Sequence, residues 1–557
     1  MIVMKLKNTP SVLKMMLLLL LVIPCGCKDK VGISERLTAK TFNYPVLKGK
    51  VDNPVLRIQL NDGKEGEIVN AIQVSTEKTK QENLKNIRVY YTENDSVFNN
   101  KRLFGLTEKP KNTSLINGSQ SLKPGTNYFW VTYELADNVD LTNKVHANVD
   151  YVTLGEQKLG VSNNAETKAL RLGVAVRQHQ DDNVHTYRIP GLSTTKEGTL
   201  LAVYDVRRES GRDLQGHMDI GVSRSTDGGN SWEPMRIALD MGEWGGLPEK
   251  FNGVSDANIL VDEQTGTIFV AGLWMHGVIN AEGVWQQNLG EESKEWNHQW
   301  RTKGSQPGFG VKQTSQFLIT KSTDDGKTWS EPINLTKMCK DPKWWLWAPA
   351  PGHGITLKDG TLVIPTQGRD ENGLPFSNIT YSKDGGETWT TSNPASHDTT
   401  ECMAVELSDG AIMLNIRDNR NGENKTETNG RAIMVTNDLG NTWTEHPTSH
   451  GALIEPRCMA SIHRHDYTDN TGTSKSILLF SNPNSKYKRI KQTIKVSLDD
   501  GKTWPREYWM ELDEGRGAGY SCITSIDNDH IGILYEGSQA HMTFQKININ
   551  ELIKKHD

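Results

Sequence analysis

Apolar residues along this chain fall in short runs, and the runs alternate with polar ones or are continuous over only four to eight positions. Residues 55–60 (VLRIQL), 68–74, 87–91, 127–133 and 145–152 form a first set, separated by Gly, Pro and Asn. Residues 199–204, 259–261 with 268–273, 361–365, 411–416, 476–480 and 531–535 form a second set. Period-2 alternation and short buried runs bounded by turn residues predict β-strands, and no long stretch follows the 3.6-residue period of an amphipathic helix. The pattern predicts an all-β chain. The first set reads as a β-sandwich over residues 28–160, and residues 170–557 read as a second domain. The polar stretch 155–167 reads as the linker between them.

The second domain is punctuated by five copies of one short motif. They are STDGGNSW (225–232), STDDGKTW (322–329), SKDGGETW (382–389), TNDLGNTW (436–443) and SLDDGKTW (497–504). Each has the chemistry of a hairpin turn: an Asp able to accept from nearby backbone N–H groups, a Gly at the fifth position for positive φ, and a Trp to cover the turn. Repeats of roughly 50 residues with strands between turns predict propeller blades. Five such turns plus one blade without the motif predict a six-bladed β-propeller. The wide gap between the first two copies leaves room for the motif-free blade or for an insertion. The Asp residues of the motif read as structural.

The first 27 residues read differently. Lys5, Lys7 and Lys14 precede an apolar stretch over 15–23 that is too short to span a bilayer, and Cys25-Gly26-Cys27 follows. This predicts an export signal with Cys27 as a lipidated residue and outer-membrane attachment, or else ordinary cleavage and secretion. Losing those three lysines takes the formal charge from −5 to −8. A mildly acidic protein of this kind is not expected to bind nucleic acid. Cys339, Cys402, Cys458 and Cys522 remain, without metal-binding spacing, and read as small buried residues. His463 and His465 lack a third ligand nearby in the sequence and read as a surface pair. No metal or cofactor is implied.

In a propeller the ligand site lies where loops from all blades converge, so charged residues at strand ends are the informative ones. Arg188 in YRIPG, Arg417 in NIRD and Arg489 in YKR occupy such positions. Taken singly, each also reads as a solvated surface charge. Residues 280–310, with Trp285, Trp296 and Trp300, are long for a blade loop and read as an insertion or lid. Trp344, Trp345 and Trp347 read equally as sugar-stacking or as core residues.

The segments YRIPGL, TECMAVEL, NIRDNR and GAGYSCIT, together with the five Asp-box turns, resemble the bacterial exo-α-sialidases from about residue 171 to the C-terminus. The N-terminal domain resembles, more loosely, the sandwich that precedes the propeller in sialidases of gut and oral Bacteroidetes; it is read either as a carbohydrate-binding domain or as a packing domain. The resemblance implies a retaining hydrolase of terminal sialic acids on glycoproteins, glycolipids and oligosaccharides. It implies that Arg188, Arg417 and Arg489 clamp the substrate carboxylate, which planar guanidinium groups suit better than lysine. It implies Glu536 as the partner of the first Arg, Tyr520 as nucleophile with Glu401 as its base, and Asp213 as general acid/base, with Asp205 and Asp219 as competitors. A phenol avoids the repulsion a carboxylate nucleophile would meet at a carbon that bears a carboxylate. Tyrosine nucleophiles in sialidases are a known exception to the two-carboxylate rule of glycosidases. Arg207 near the 4-hydroxyl, Asp256 near the N-acetyl group, and Trp274 with Met275 as an apolar pocket complete the implied site. Alternatives are a trans-sialidase or anhydro-sialidase relative, and a non-catalytic sialic-acid-binding propeller.

Overall fold

A computed structural model describes residues 31–162, 168–213, 216–245, 248–277, 305–311 and 313–554. The expected signal segment with Cys27, and nearly all of the 280–310 insertion with its three tryptophans, lie outside the described residues. The regular structure is almost wholly β-strand, with only short helical turns.

The N-terminal region forms two five-stranded sheets. One runs Gly32–Ser34, Gln157–Val161, Asn148–Leu154, Ile68–Ser75, Thr113–Ser121; the other runs Leu37–Thr41, Asn53–Gly63, Gly125–Leu135, Leu84–Tyr91, Leu103–Glu108. Alternate residues such as Ile58, Leu60, Val89, Phe129 and Val131 share a buried core with Val69, Ile116 and Val152 of the other sheet. The pleat explains this, since every second side chain of a strand points to the same face.

Two expectations need correction here. The stretch 155–167 is not a linker throughout: Gly155 (φ 58°) turns the chain and Gln157–Val161 pairs with Asn148–Leu154. The run 145–152 is not one strand, because Lys144–Val145 leaves the first region and pairs with Arg171 and Leu170. Val46–Lys48 also joins that strand, in parallel. The two regions therefore share a sheet, and Asn43 and Lys50 add hydrogen bonds to Glu511 and Gln539.

Beyond residue 170 the described strands form six antiparallel groups, the first two of them within one nine-stranded sheet in which Met218 pairs in parallel with Gly253. They begin at Thr186–Thr194, Asn252–Val261, Leu346–Pro349, Thr399–Glu406, Ser461–Thr468 and Ser521–Ser525. The sixth group takes its last strand, Leu170–Arg177, from the start of the region, where it pairs with Met542–Asn548. Neighbouring groups contact one another in chain order, and Ser521–Ser525 of the sixth packs against Thr186–Thr194 of the first.

The five motifs occupy equivalent turns, between the third and fourth strands of groups one to five. In each, one oxygen of the Asp accepts from the backbone N–H four residues on, and the other accepts from that residue's hydroxyl: Asp227 with Ser231, Asp324 with Thr328, Asp384 with Thr388, Asp438 with Thr442, Asp499 with Thr503. The fifth-position glycines have φ of 74–91°. The fourth position is also left-handed, and Asp325, Leu439 and Asp500 carry that strain at φ 56–64°. The motif-free group is the sixth. The wide first gap arises within group two, where residues 277–315 separate Ile268–His276 from Gln316–Ser322.

Candidate active site

Nine charged or phenolic residues singled out in the sequence lie at one end of these strand groups, because most sit near the start of a first strand, the end of a second or the start of a third. Arg188 and Glu401 are near the start of first strands, and Asp256 lies midway along one, at its bulge. Tyr520 immediately precedes one. Arg207 and Arg417 are near the end of second strands, with Asp213 and Glu536 just beyond such ends, and Arg489 immediately precedes Ile490–Ser497. Three of the first strands carry a register shift at the residue concerned: between Arg188 and Gly191, Ser255 and Asn258, and Thr399 and Cys402. A β-bulge re-aims a side chain out of the pleat, and Ile189 and Asp256 show it in φ of 61° and 60°.

Tyr520 is the hub. Its hydroxyl donates to Glu401 Oε1 and accepts from Arg417 Nη1 at 2.9 Å. Arg417 Nη1 also donates to Glu401 Oε2. The guanidinium groups of Arg188 and Arg489 each lie 5.4 Å from the centre of the Tyr520 ring. The phenol is 5% exposed. Burial, reinforced by Glu401, pushes its pKa well up against the opposing pull of Arg417 and Arg489. It is a neutral phenol that already donates to a carboxylate.

Glu536 organises one side of the cluster. Its Oε1 accepts from Arg188 Nε at 2.5 Å and from the Ile189 N–H at 2.9 Å, and its Oε2 accepts from the Tyr520 N–H at 2.9 Å. Burial works to raise its pKa, but Arg188 and these N–H donors outweigh it and hold the carboxyl below its usual range. Arg489 is held by the Ala518 and Arg457 carbonyls. Arg177 lies elsewhere, bonded to Tyr204 and Ser223.

Asp213 borders the cavity with its side chain 69% exposed, accepting from Arg207 Nη2 at 2.8 Å. Arg207, Arg188 and Arg417 together overcome desolvation and keep its pKa low. Its competitors face away from the cavity lining: Asp205 is fully buried against Arg207, and Asp219 is held by Arg208. Arg207 itself is 1% exposed and does not line the cavity, so it does not present a free cation there.

The cavity has a volume of about 300 Å³ and includes Asp213, Asp256, Glu401, Arg417 and Tyr520 in its wall. Gln367, Arg369, Thr400, Asn419 and Arg457 also line it and were not foreseen. Gln367 and Arg369 end the strand Leu362–Arg369, a position equivalent to Arg207 and Arg417, and Asn419 adjoins NIRD; those positions were the available signal.

Trp274 and Met275 are not pocket residues. Both are fully buried, Trp274 in the core beside Trp244 with its Nε1 donating to Asn252. Trp347 stacks on Phe317 at 4.2 Å as a core residue. His463 and His465 are not a surface pair: both bond the Ser525 hydroxyl, and His463 lines a second cavity with His353, Glu263 and Glu406. Among the described residues no three His, Cys, Asp or Glu are placed to hold a metal ion. Cys339, Cys402, Cys458 and Cys522 are buried and free.

Comparison with known proteins identifies the two regions. Residues 198–535 match the family described as BNR repeat-like domain, and residues 34–158 match the N-terminal domain of BNR-repeat neuraminidase. The chain is 41% identical over 554 residues to a sialidase of Bacteroides fragilis, covering 94% of this chain and 96% of that one. It is 30% identical to a Clostridium perfringens sialidase over 65% of this chain and 89% of the other. Among solved structures, Hadza microbial sialidase Hz136 superposes with a TM-score of 0.82 at 38% identity, over 93% of this chain and all of that one. With matched domains in both regions and a relative aligned along almost its whole length, the chain belongs to the bacterial BNR-repeat sialidase family.

Proposed function

We propose that this protein is a retaining exo-α-sialidase that releases terminal sialic acids from glycoproteins, glycolipids and oligosaccharides through a covalent bond to Tyr520. The observation that carries the proposal is the Tyr520 hydroxyl donating to Glu401 while accepting from Arg417. A phenol with a raised pKa is a poor nucleophile alone, and a carboxylate at hydrogen-bond distance is the base that activates it. The sialidase relatives support sialoside hydrolysis as the activity.

The strand groups are read as six blades of a propeller closed by Leu170–Arg177, with the cavity at the mouth of its channel. The contacts returning from the sixth group to the first support this reading. Residues 28–160 are read as a β-sandwich. The substrate carboxylate would meet Arg188, Arg417 and Arg489, which converge on Tyr520 from three groups. That fixes C2 over the phenolic oxygen. As the C2–oxygen bond to Tyr520 forms, Glu401 takes the phenolic proton, and Asp213 protonates the departing glycosidic oxygen. Asp213 then takes a proton from water, which attacks C2, and Glu401 returns its proton to the departing Tyr520 oxygen. Two inversions at C2 give net retention. Asp213 lies under the low-pKa influence of Arg188 and Arg417 in the free protein. A bound carboxylate offsets those two cations, which moves Asp213 toward the protonated form when it is needed. Export, with lipidation at Cys27, completes the proposal.

The test is hydrolysis of an aryl sialoside followed by NMR. The α-anomer of free sialic acid appears first if the reaction retains configuration; the β-anomer appearing first contradicts the mechanism.

A further inference from the structure

The arginines at the corner between the fourth and fifth strand groups are not equally committed. Arg417 is taken up by Glu401 and Tyr520, and Arg489 donates to the Ala518 and Arg457 carbonyls. Arg420 bonds Asp418 and His450. Arg431, fully buried, bonds Asn415, Glu455 and the Cys458 carbonyl. Arg457 is the exception. The residue is exposed and lines the active-site cavity, yet among the described residues its guanidinium has no ion-pair or hydrogen-bond partner. Asn419 lines the same cavity, and among the described residues its side-chain amide is also unbonded.

This free cation is held in place rather than left on a slack loop. Arg457 has a φ of 55°, a left-handed backbone that an arginine adopts only under constraint. Its carbonyl accepts from Arg489 Nη2. Two residues earlier, the buried carboxylate of Glu455 accepts from Arg431, from the Asn421 amide and from the Asp418 N–H. The backbone N–H and carbonyl of Glu455 are both bonded to the Asn429 amide. The guanidinium of Arg457 lies against Gly422, where an added Cβ would come within 2.7 Å of Nη1. The cation therefore sits over the turn Asn419–Gly422, outboard of Arg417 and the clamp.

Building on the proposed sialidase reading, we infer that Arg457 and Asn419 form a rim subsite for a second carboxylate, one carried by the leaving sugar, and so favour substrates in which one sialic acid is linked to another. The first carboxylate already has three arginines converging on Tyr520 and does not call for a fourth. The glycosidic oxygen lies beside Asp213, whose side chain is 69% exposed, so the leaving sugar rests over the rim and not inside the cavity. A neutral leaving sugar such as galactose gives Arg457 nothing to pair with. A second sialic acid offers a carboxylate that a guanidinium and a neighbouring amide can both donate to. The pair is solvated, so its effect is a modest preference and weakens with salt.

The test compares wild type, Arg457→Gln and Arg457→Gly on two substrates, disialyllactose with a terminal α2,8 link and α2,3-sialyllactose. Initial rates of loss of each substrate give kcat/KM. Gln removes the charge, and Gly removes the side chain while suiting a φ of 55°. In both variants kcat/KM should fall about fivefold more on disialyllactose than on sialyllactose, the scale of an exposed ion pair. That difference should shrink as sodium chloride is added. Equal losses on the two substrates, or no loss on disialyllactose, overturn the inference. Should Arg457→Gln not fold, Arg457→Gly, which relieves the backbone, decides by the same ratio. A wild type that turns over neither substrate overturns the sialidase reading instead. Calorimetric binding of disialyllactose then decides the subsite: weaker binding by Arg457→Gly supports it, and equal binding overturns it.

Discussion

The Tyr520 hydroxyl donates to the carboxylate of Glu401 across 119 residues of sequence and from a strand group that is not its neighbour. Arg417, on the strand beside Glu401, bridges the same two groups. A hydroxyl held between an acceptor and a cation is placed to lose its proton, and the account of function is built on that triangle.

Removing the acceptor should leave the triangle folded and idle. Glu401→Gln retains the shape but cannot take the phenolic proton. We predict a fall in kcat of about 10²–10⁴-fold, the usual scale of general-base catalysis, with a melting temperature close to wild type. Unimpaired turnover would move the base elsewhere.

The clamp is tested by geometry at constant charge. Arg188→Lys loses the fork that bonds Glu536 and faces the substrate carboxylate. We predict a loss in kcat/KM of at least about tenfold. Arg177→Lys, in contact with Tyr204 and Ser223 away from the cavity, should act on stability and leave kcat/KM much less affected. The reverse pattern would mean the clamp has been assigned to the wrong arginine.

How much of this was legible in the sequence depended on whether the cause was local. The Asp-box turns are local: Asp227 and Ser231 meet within five residues, so motif and geometry agree. Arg188 and Arg417 were legible by resemblance and by position at strand ends. Thr400, Asn419 and Arg457 were not, because the cavity they share is made by bulges and by the packing of distant strand groups. Trp274 misled because every residue of Ile268–His276 is buried, and a continuous apolar strand gives no sign of which face meets a ligand. His463 misled because a polar residue in an alternating strand reads as solvent-facing, whereas here it lines a cavity with His353, Glu263 and Glu406.

Glu536 links chemistry to stability, and its sign can be worked out. Its folded pKa lies below the ordinary glutamate value, so its contribution is present above that value and is lost as pH falls through the depressed folded one. Glu536→Gln should destabilise the protein by about 1.5–3 kcal/mol near neutral pH, the scale of a hydrogen bond to a charged group. The gap between variant and wild type should narrow as acid protonates Glu536. A gap that widens in acid would contradict this placement of the charge.

Asp213→Ala separates the acid from the nucleophile. A natural sialyl-galactose link leaves as a poor alcohol and needs protonation, whereas an aryl sialoside leaves readily. We predict a loss of about 10²-fold or more on the natural link and a far smaller one on the aryl substrate. Equal losses would make Asp213 a binding residue.

The covalent bond to Tyr520 is the central claim, and trapping it is the most direct test. In 2,3-difluorosialic acid the fluorine at C3 slows both steps, and fluoride at C2 departs without an acid catalyst, so the intermediate accumulates. Digestion and mass spectrometry should then find the fluorosialosyl group on the peptide containing Tyr520, in wild type and in Asp213→Ala, and no label in Tyr520→Phe. A label on Glu401 or Asp213, or an active enzyme that retains full turnover as Tyr520→Phe, would contradict the account.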